Sequence, residues 1–145
     1  MAVEPIFLDT NILLAATDSG RQEHANCHAL LEAGLQGKQS LFISGQVIRE
    51  YLVVATRPSE VNGFGMTTDQ ALNNVAQMKQ CLHVLDETTQ VATRLTQLIA
   101  QYQLTGKRIH DANIVATMLE NGITQLETLN PDDFKCFEAL SMVSR

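Results

Sequence analysis

The chain has 145 residues, 45% of them hydrophobic, which is enough to bury a core and too apolar for a disordered segment. A formal net charge of −6 excludes a protein that holds nucleic acid by bulk positive charge, though not an enzyme that meets phosphates through a bound cation. Cys27, Cys81 and Cys136 are odd in number and form no Cys-x-x-Cys pair, which sets aside a disulfide framework and a zinc ribbon and points to a reducing, cytoplasmic setting.

In chain order, Pro5-Ile6-Phe7-Leu8 predicts a buried strand. Asp9-Thr10-Asn11 predicts a turn in which Thr10 or Asn11 caps a short helix starting at Ile12. Asp18-Ser19-Gly20 breaks that helix. A second helix is expected from about 21 to 35, stopping near Gly34 or Gly37. Ser40-Leu41-Phe42-Ile43 reads as a short strand, and Ser44-Gly45 opens a helix to about Thr56. Arg57-Pro58 ends it, because proline disfavours helical geometry in the residue before it. Residues 58–66, with Pro58, Gly63 and Gly65, form the longest irregular connection.

Thr67-Thr68-Asp69-Gln70 opens the next helix, and Leu82-His83-Val84-Leu85 is the next strand. Thr88 or Thr89 caps a helix to about Gln103. Thr105-Gly106-Lys107-Arg108 reads as a solvated polar loop. Residues 110–120 predict a helix that is apolar nearly all round and therefore buried, ended by Asn121-Gly122. Residues 124–128 form a strand, Asn130-Pro131-Asp132-Asp133 starts a short terminal helix, and Leu140 to Val143 adds an edge strand. Strands alternate with helices throughout. The expected fold is α/β: three layers, α/β/α, around a central, mostly parallel sheet, in one domain spanning 1–145.

The beginning of the chain, Met1-Ala2-Val3-Glu4-Pro5, lacks the pattern of a secretion signal. No apolar run approaches the roughly 20 residues that span a bilayer, so no membrane association is expected. His24, Cys27 and His28 have helical spacing compatible with a soft metal site. They lack a fourth ligand nearby, and packing on one stripe is the expected role.

Asp9, Glu50 and Asp111 each lie where a strand meets a helix or just inside a helix. In an open parallel sheet the strand ends converge on one edge, where ligands bind. Converging carboxylates repel one another unless a cation or protons intervene, and such hard oxygen ligands suit Mg²⁺ or Mn²⁺. Each acid also has a plain structural role. Asp9 fits an Asx turn or helix cap, and Asp111 complements a helix dipole. Glu50 lies beside the apolar face made by Val47, Ile48, Tyr51, Leu52 and Ala55; half-buried there, it needs a partner, and turned outward it needs only water.

Phe7-Leu8-Asp9-Thr10-Asn11-Ile12-Leu13, the mid-chain Glu50, His110-Asp111-Ala112-x-Ile114-x-Ala116-Thr117 and Thr128-x-Asn130-x-x-Asp133-Phe134 occur in one order. As an ordered set covering essentially the whole chain, they resemble the PIN domain family, most closely its bacterial VapC-type toxin branch. The resemblance implies a metal-dependent endoribonuclease, with Asp9, Glu50 and Asp111 as catalytic and metal-holding acids for Mg²⁺ or Mn²⁺. It implies RNA as substrate, a small antitoxin protein as partner and a homodimer, for which Val61, Phe64 and Met66 offer apolar surface. A fourth acid is common in the family near Asn130. Here Asn130 adds no charge, and Asp133 either substitutes or caps its helix. Thr10, Asn11, Thr128, Asn130 and Asp133 take secondary, orienting roles.

Other classes stay open at this level. Asn130 weakens the site if the fold serves as a binding module without chemistry. A stand-alone nuclease needs no antitoxin. Phosphotransfer through an aspartyl-phosphate fits less well, because Asp9-Thr10-Asn11 lacks a second aspartate.

Overall fold

In β1 (Pro5–Leu8) the residues Ile6, Phe7 and Leu8 are consecutive and all buried, as expected of a central strand covered on both faces. The computed structural model describes residues 3–143. After β1 come α1 (Thr10–Thr17), α2 (His24–Leu35), β2 (Ser40–Ser44), α3 (Gly45–Thr56) and α4 (Thr68–Met78). β3 (His83–Leu85), α5 (Thr89–Tyr102), α6 (Arg108–Glu120), β4 (Gln125–Glu127) and β5 (Ser141–Met142) complete the fold, with 3-10 turns at Ser59–Val61 and Pro131–Phe134. The five strands form one sheet in the order β3-β2-β1-β4-β5, and every pairing is parallel. This is the expected three-layer α/β/α arrangement.

Strand order determines where a site can form. From β1 the chain proceeds to β2 and β3 on one side, then returns through α5 and α6 to β4 and β5 on the other. Connections diverge at the carboxyl end of β1, the position at which ligands bind in open parallel sheets. Register brings Leu8 opposite Glu127, so the residues that follow each strand, Asp9 and Thr128, emerge side by side.

The core is continuous. Phe7, Leu8, Tyr51, Val115, Met118 and Leu126 are sealed from solvent. Tyr51 has a polar tip to satisfy, and its hydroxyl meets Thr17 Oγ1 at 2.9 Å and Asn74 Nδ2 at 3.2 Å, joining α1, α3 and α4. The expectation for 110–120 holds: Ala112 and the run from Ile114 to Met118 are buried.

Several boundaries move. α1 starts at Thr10 with Asp9 itself as N-cap, not at Ile12 behind Thr10 or Asn11. α2 starts at His24 rather than 21. α6 takes in Arg108, expected in a loop, because the guanidinium donates to Asp133 O at 3.1 Å and contacts Cys136 Sγ at 3.2 Å. The terminal helix is a single 3-10 turn, anchored by buried Phe134. His24, half-buried, contacts Ala15 O through Nδ1 at 2.9 Å and Cys27 is buried, but His28 is exposed, so the expected packing stripe holds only in part. All three cysteines are free. Among the described residues no helix is long and apolar enough to cross a membrane.

Candidate active site

At the switch point, Asp9 is held by three donors. Its Oδ1 accepts the Thr10 backbone N–H at 2.8 Å, the ordinary capping bond of α1. Its Oδ2 accepts Thr128 Oγ1–H at 2.8 Å and Asn11 Nδ2–H at 3.3 Å. Asn11 also ties the two strand exits together, since its Oδ1 accepts the Leu129 N–H at 3.1 Å. Thr128 Oγ1 in turn accepts the Asn130 N–H at 3.1 Å.

Glu50 comes to the same edge from α3. It is half-buried, and its Oε1 accepts Thr10 Oγ1–H at 2.7 Å. Thr10, itself buried, thus gives its backbone donor to Asp9 and its hydroxyl donor to Glu50, keeping the two carboxylates adjacent. The other oxygen, Oε2, accepts Gln46 Nε2–H at 3.1 Å, one helical turn before it.

Asp111 lies in the first turn of α6. Burial pushes its carboxyl up to about 6, reinforced by the charges of Asp9, Asp133 and Glu50 and opposed by Arg108. Asp9 is also raised, first by burial and then by Glu50 and Asp133, against the lowering effect of its bonds from Thr128 and Thr10. Asp9, Glu50, Asp111 and Asp133 therefore share one electrostatic field. Asn130 differs: it is exposed, and its contribution is the backbone bond to Thr128.

The donor set is all oxygen, the chemistry that suits Mg²⁺ or Mn²⁺. Two acids raised by burial and then by neighbouring like charge are what a divalent ion would relieve. Among the described residues no three acidic, histidine or cysteine side chains close into a ready-made cage. Mg²⁺ keeps several waters and takes one or two carboxylates, so its binding does not require a closed protein cage.

Sequence reasoning missed Gln46, Glu87 and Asn113. Gln46 is 1% exposed. Its Oε1 accepts Asn113 Nδ2–H at 2.7 Å, and Asn113 Nδ2 also donates to Glu87 Oε1 at 2.8 Å. Glu87 Oε2 accepts the Gln46 backbone N–H at 2.7 Å. The available signal was a glutamine four residues before Glu50 on the same helix face.

The chain matches the family model of the PIN domain over residues 6–139. No curated protein matches it in sequence. Among solved structures, one similar chain belongs to VapBC2 from Rickettsia felis bound to a DNA fragment from their promoter. It has a TM-score of 0.70 and 18% identity, and the match covers 96% of this chain and 97% of that one. Another is Mycobacterium tuberculosis VapC20, described as a sarcin-ricin loop cleaving toxin, with a TM-score of 0.67, 16% identity and coverage of 91% and 95%. A third comes from a toxin–antitoxin complex from Klebsiella pneumoniae, with a TM-score of 0.59, 24% identity and coverage of 96% of both chains.

Proposed function

The chain belongs to the PIN domain family, and on that premise we propose that it is a Mg²⁺- or Mn²⁺-dependent endoribonuclease of one domain, the toxin of a toxin–antitoxin pair. The observation that carries this reading is the meeting of Asp9 and Glu50 through Thr10 at the switch point of the sheet, with Asp111 near enough that the Asp9 charge adds to its raising by burial. Asp9, Glu50 and Asp111 are the residues that would hold the ion. Thr10 orients Asp9 and Glu50, while Asn11 and Thr128 orient Asp9. Asp133 adds negative charge, and Asn130 supports Thr128. When bound, a divalent ion supplies an acidified water and neutralises charge on the phosphodiester. The protein's part is to orient the acids through these hydrogen bonds, while a bound cation would favour the ionised forms of Asp9 and Asp111 against their burial, and no nucleophilic serine or cysteine is needed.

RNA is favoured as substrate because one structural relative is described as cleaving the sarcin-ricin loop. A small antitoxin partner is favoured because other relatives come from VapBC and toxin–antitoxin complexes. The net charge of −6 suits a basic partner segment, whose arginines pair with carboxylates without needing the ion. We read the protein as cytoplasmic and homodimeric. A binding module without chemistry is the second reading, supported by the uncharged Asn130.

The test is RNA cleavage by pure protein. Activity is expected with Mg²⁺ or Mn²⁺ and lost in chelator. Asp9→Ala and Asp111→Ala should each reduce the rate by about 100-fold or more, beyond the loss of a mere orienting partner. Full cleavage in chelator by either variant, with contaminating nuclease excluded, refutes the enzyme. No cleavage by the unmodified protein on any RNA tried, with ion binding intact, favours the binding module.

A further inference from the structure

Gln46 is a buried amide between two helices, and each of its polar atoms has an assigned neighbour. Nε2 donates to Glu50 Oε2 at 3.1 Å and to the His110 carbonyl at 2.9 Å. Oε1 accepts from Asn113 Nδ2 at 2.7 Å. The orientation is dictated by chemistry. A carboxylate and a carbonyl are acceptors only, so the end facing them must be the NH₂ group. The reversed amide would set an oxygen against both acceptors and leave two N–H groups facing Asn113. The far end is fixed in the same way, because Asn113 Nδ2 also donates to Glu87 Oε1.

The four side chains thus form one chain, Glu87, Asn113, Gln46, Glu50, in which Asn113 donates both to Glu87 and to Gln46 and Gln46 donates on to Glu50, so that an accepting carboxylate stands at each end. Glu87 also caps the start of α3 through the Gln46 N–H at 2.7 Å. The His110 carbonyl that Gln46 holds immediately precedes Asp111. One amide therefore touches the Glu50 carboxylate and the backbone that presents Asp111.

We propose that Gln46 is a positioning residue for the metal-dependent reaction: it sets the direction of the Glu50 carboxylate and its separation from Asp111, and Asn113 and Glu87 hold it in that orientation. This rests on the reading of Asp9, Glu50 and Asp111 as ion-holding acids. Free to rotate, Glu50 would spend its ionised oxygen on other donors. Held by Thr10 and Gln46, it keeps one direction while a cation binds, as orienting partners do for carboxylate ligands elsewhere.

The test uses the intact protein and Mn²⁺ as the probe. Gln46→Met keeps the volume and removes both donors. Mn²⁺ affinity, measured by calorimetry or by the loss of the free-ion EPR signal, should fall by about 10-fold or more, within the range for lost orienting partners. Glu87→Gln, at an exposed position, turns one of two acceptor oxygens into a donor, so the bond from Asn113 or the bond from the Gln46 backbone is lost, the chain is loosened at its other end, and Mn²⁺ binding should weaken by a few-fold. Melting temperature in chelator is recorded for each. If both variants bind Mn²⁺ as the unmodified protein does, the proposal is overturned, even if both melt earlier, because that is a purely structural role. If Gln46→Met does not fold, unaltered affinity in Glu87→Gln overturns it alone. An unmodified protein that neither binds Mn²⁺ nor cuts RNA removes the enzyme reading and this inference together. A protein that does both, beside variants that match it, removes only the inference.

Discussion

Asp9 and Asp111 lie in the same field but are held differently, so they should respond differently to losing charge. Burial and neighbouring acids raise Asp111 to about 6 from an ordinary 3.8, and no hydrogen bond offsets them. Between those two values the native state binds more protons than the unfolded chain. The resulting stabilisation is complete at low pH and is lost as pH rises through about 6. Asp111→Asn should therefore raise the melting temperature in chelator by a few degrees near about pH 8, with the gain fading toward about pH 4. Equal melts across that range would count against a shared acidic field. Asp9→Asn removes the same repulsion but turns an NH₂ group toward Asn11 Nδ2 or Thr128 Oγ1, both of which now donate to Oδ2. Bonds to a charged acceptor are worth roughly 1.5–3 kcal/mol each, so this variant should gain little or lose. A larger gain for Asp9→Asn than for Asp111→Asn would show that the hydrogen bonds matter less than the charge.

At the scale of elements, α2 shows what a sequence states and what it leaves ambiguous. Gly34 and Gly37 both read as helix stops. Gly37 is the stop in the expected sense, with φ +75 and open space around it. Gly34 is inside the helix for another reason: an added Cβ would lie 2.3 Å from Cys81 O and 2.7 Å from Leu41 Cδ1. Gly34→Ala should thus cost about 1–3 kcal/mol, whereas Gly37→Asn should cost little because asparagine tolerates that conformation. Thermal melts decide, and a neutral Gly34→Ala would mean that α2 can move away from β2 freely. The same division runs through the fold. The 110–120 helix was legible because burial on all sides leaves an apolar run, whereas the start of α6 at Arg108 depends on contacts with Asp133 and Cys136, 25 and 28 residues away. Asp9 and Asp111 were legible because one caps α1 and the other lies in the first turn of α6, and Glu50, in the middle of α3, was legible as a carboxylate beside an apolar helix face. Gln46, Glu87 and Asn113 were not, since they come from α3, the exit of β3 and α6 and meet only in the folded chain.

On the scale of the whole molecule, one edge of the sheet concentrates the acidic side chains, while apolar side chains stay exposed on the helical layers. Leu35, Val53, Val61 and Leu72 are each more than half exposed, at 57%, 55%, 53% and 51%. Of the loop residues expected at an interface, Val61 belongs to this group, but Phe64 and Met66 are partly buried. The Phe64 N–H bonds to Val54 O at 3.0 Å and the Met66 N–H to Ala55 O at 2.9 Å, drawing the loop back along α3. Arg21 covers the Phe64 ring at 5.8 Å. Interface candidates therefore shift from Phe64 and Met66 toward Val53 on α3 and Leu72 on α4, two helices that pack together. Isolated exposed aliphatics are ordinary, but several on packed elements mark a surface for association. If copies of the chain pair there, sedimentation at high micromolar concentration should give a dimer. Val53→Lys and Leu72→Lys should then each move the population toward monomer without lowering the melting temperature of the monomer. Neither residue contacts the acidic edge through a hydrogen bond, so cleavage per active site should survive dilution to monomer. A strictly monomeric unmodified protein would reject the dimer. Loss of cleavage on dissociation would mean that the acidic edge depends on the second copy.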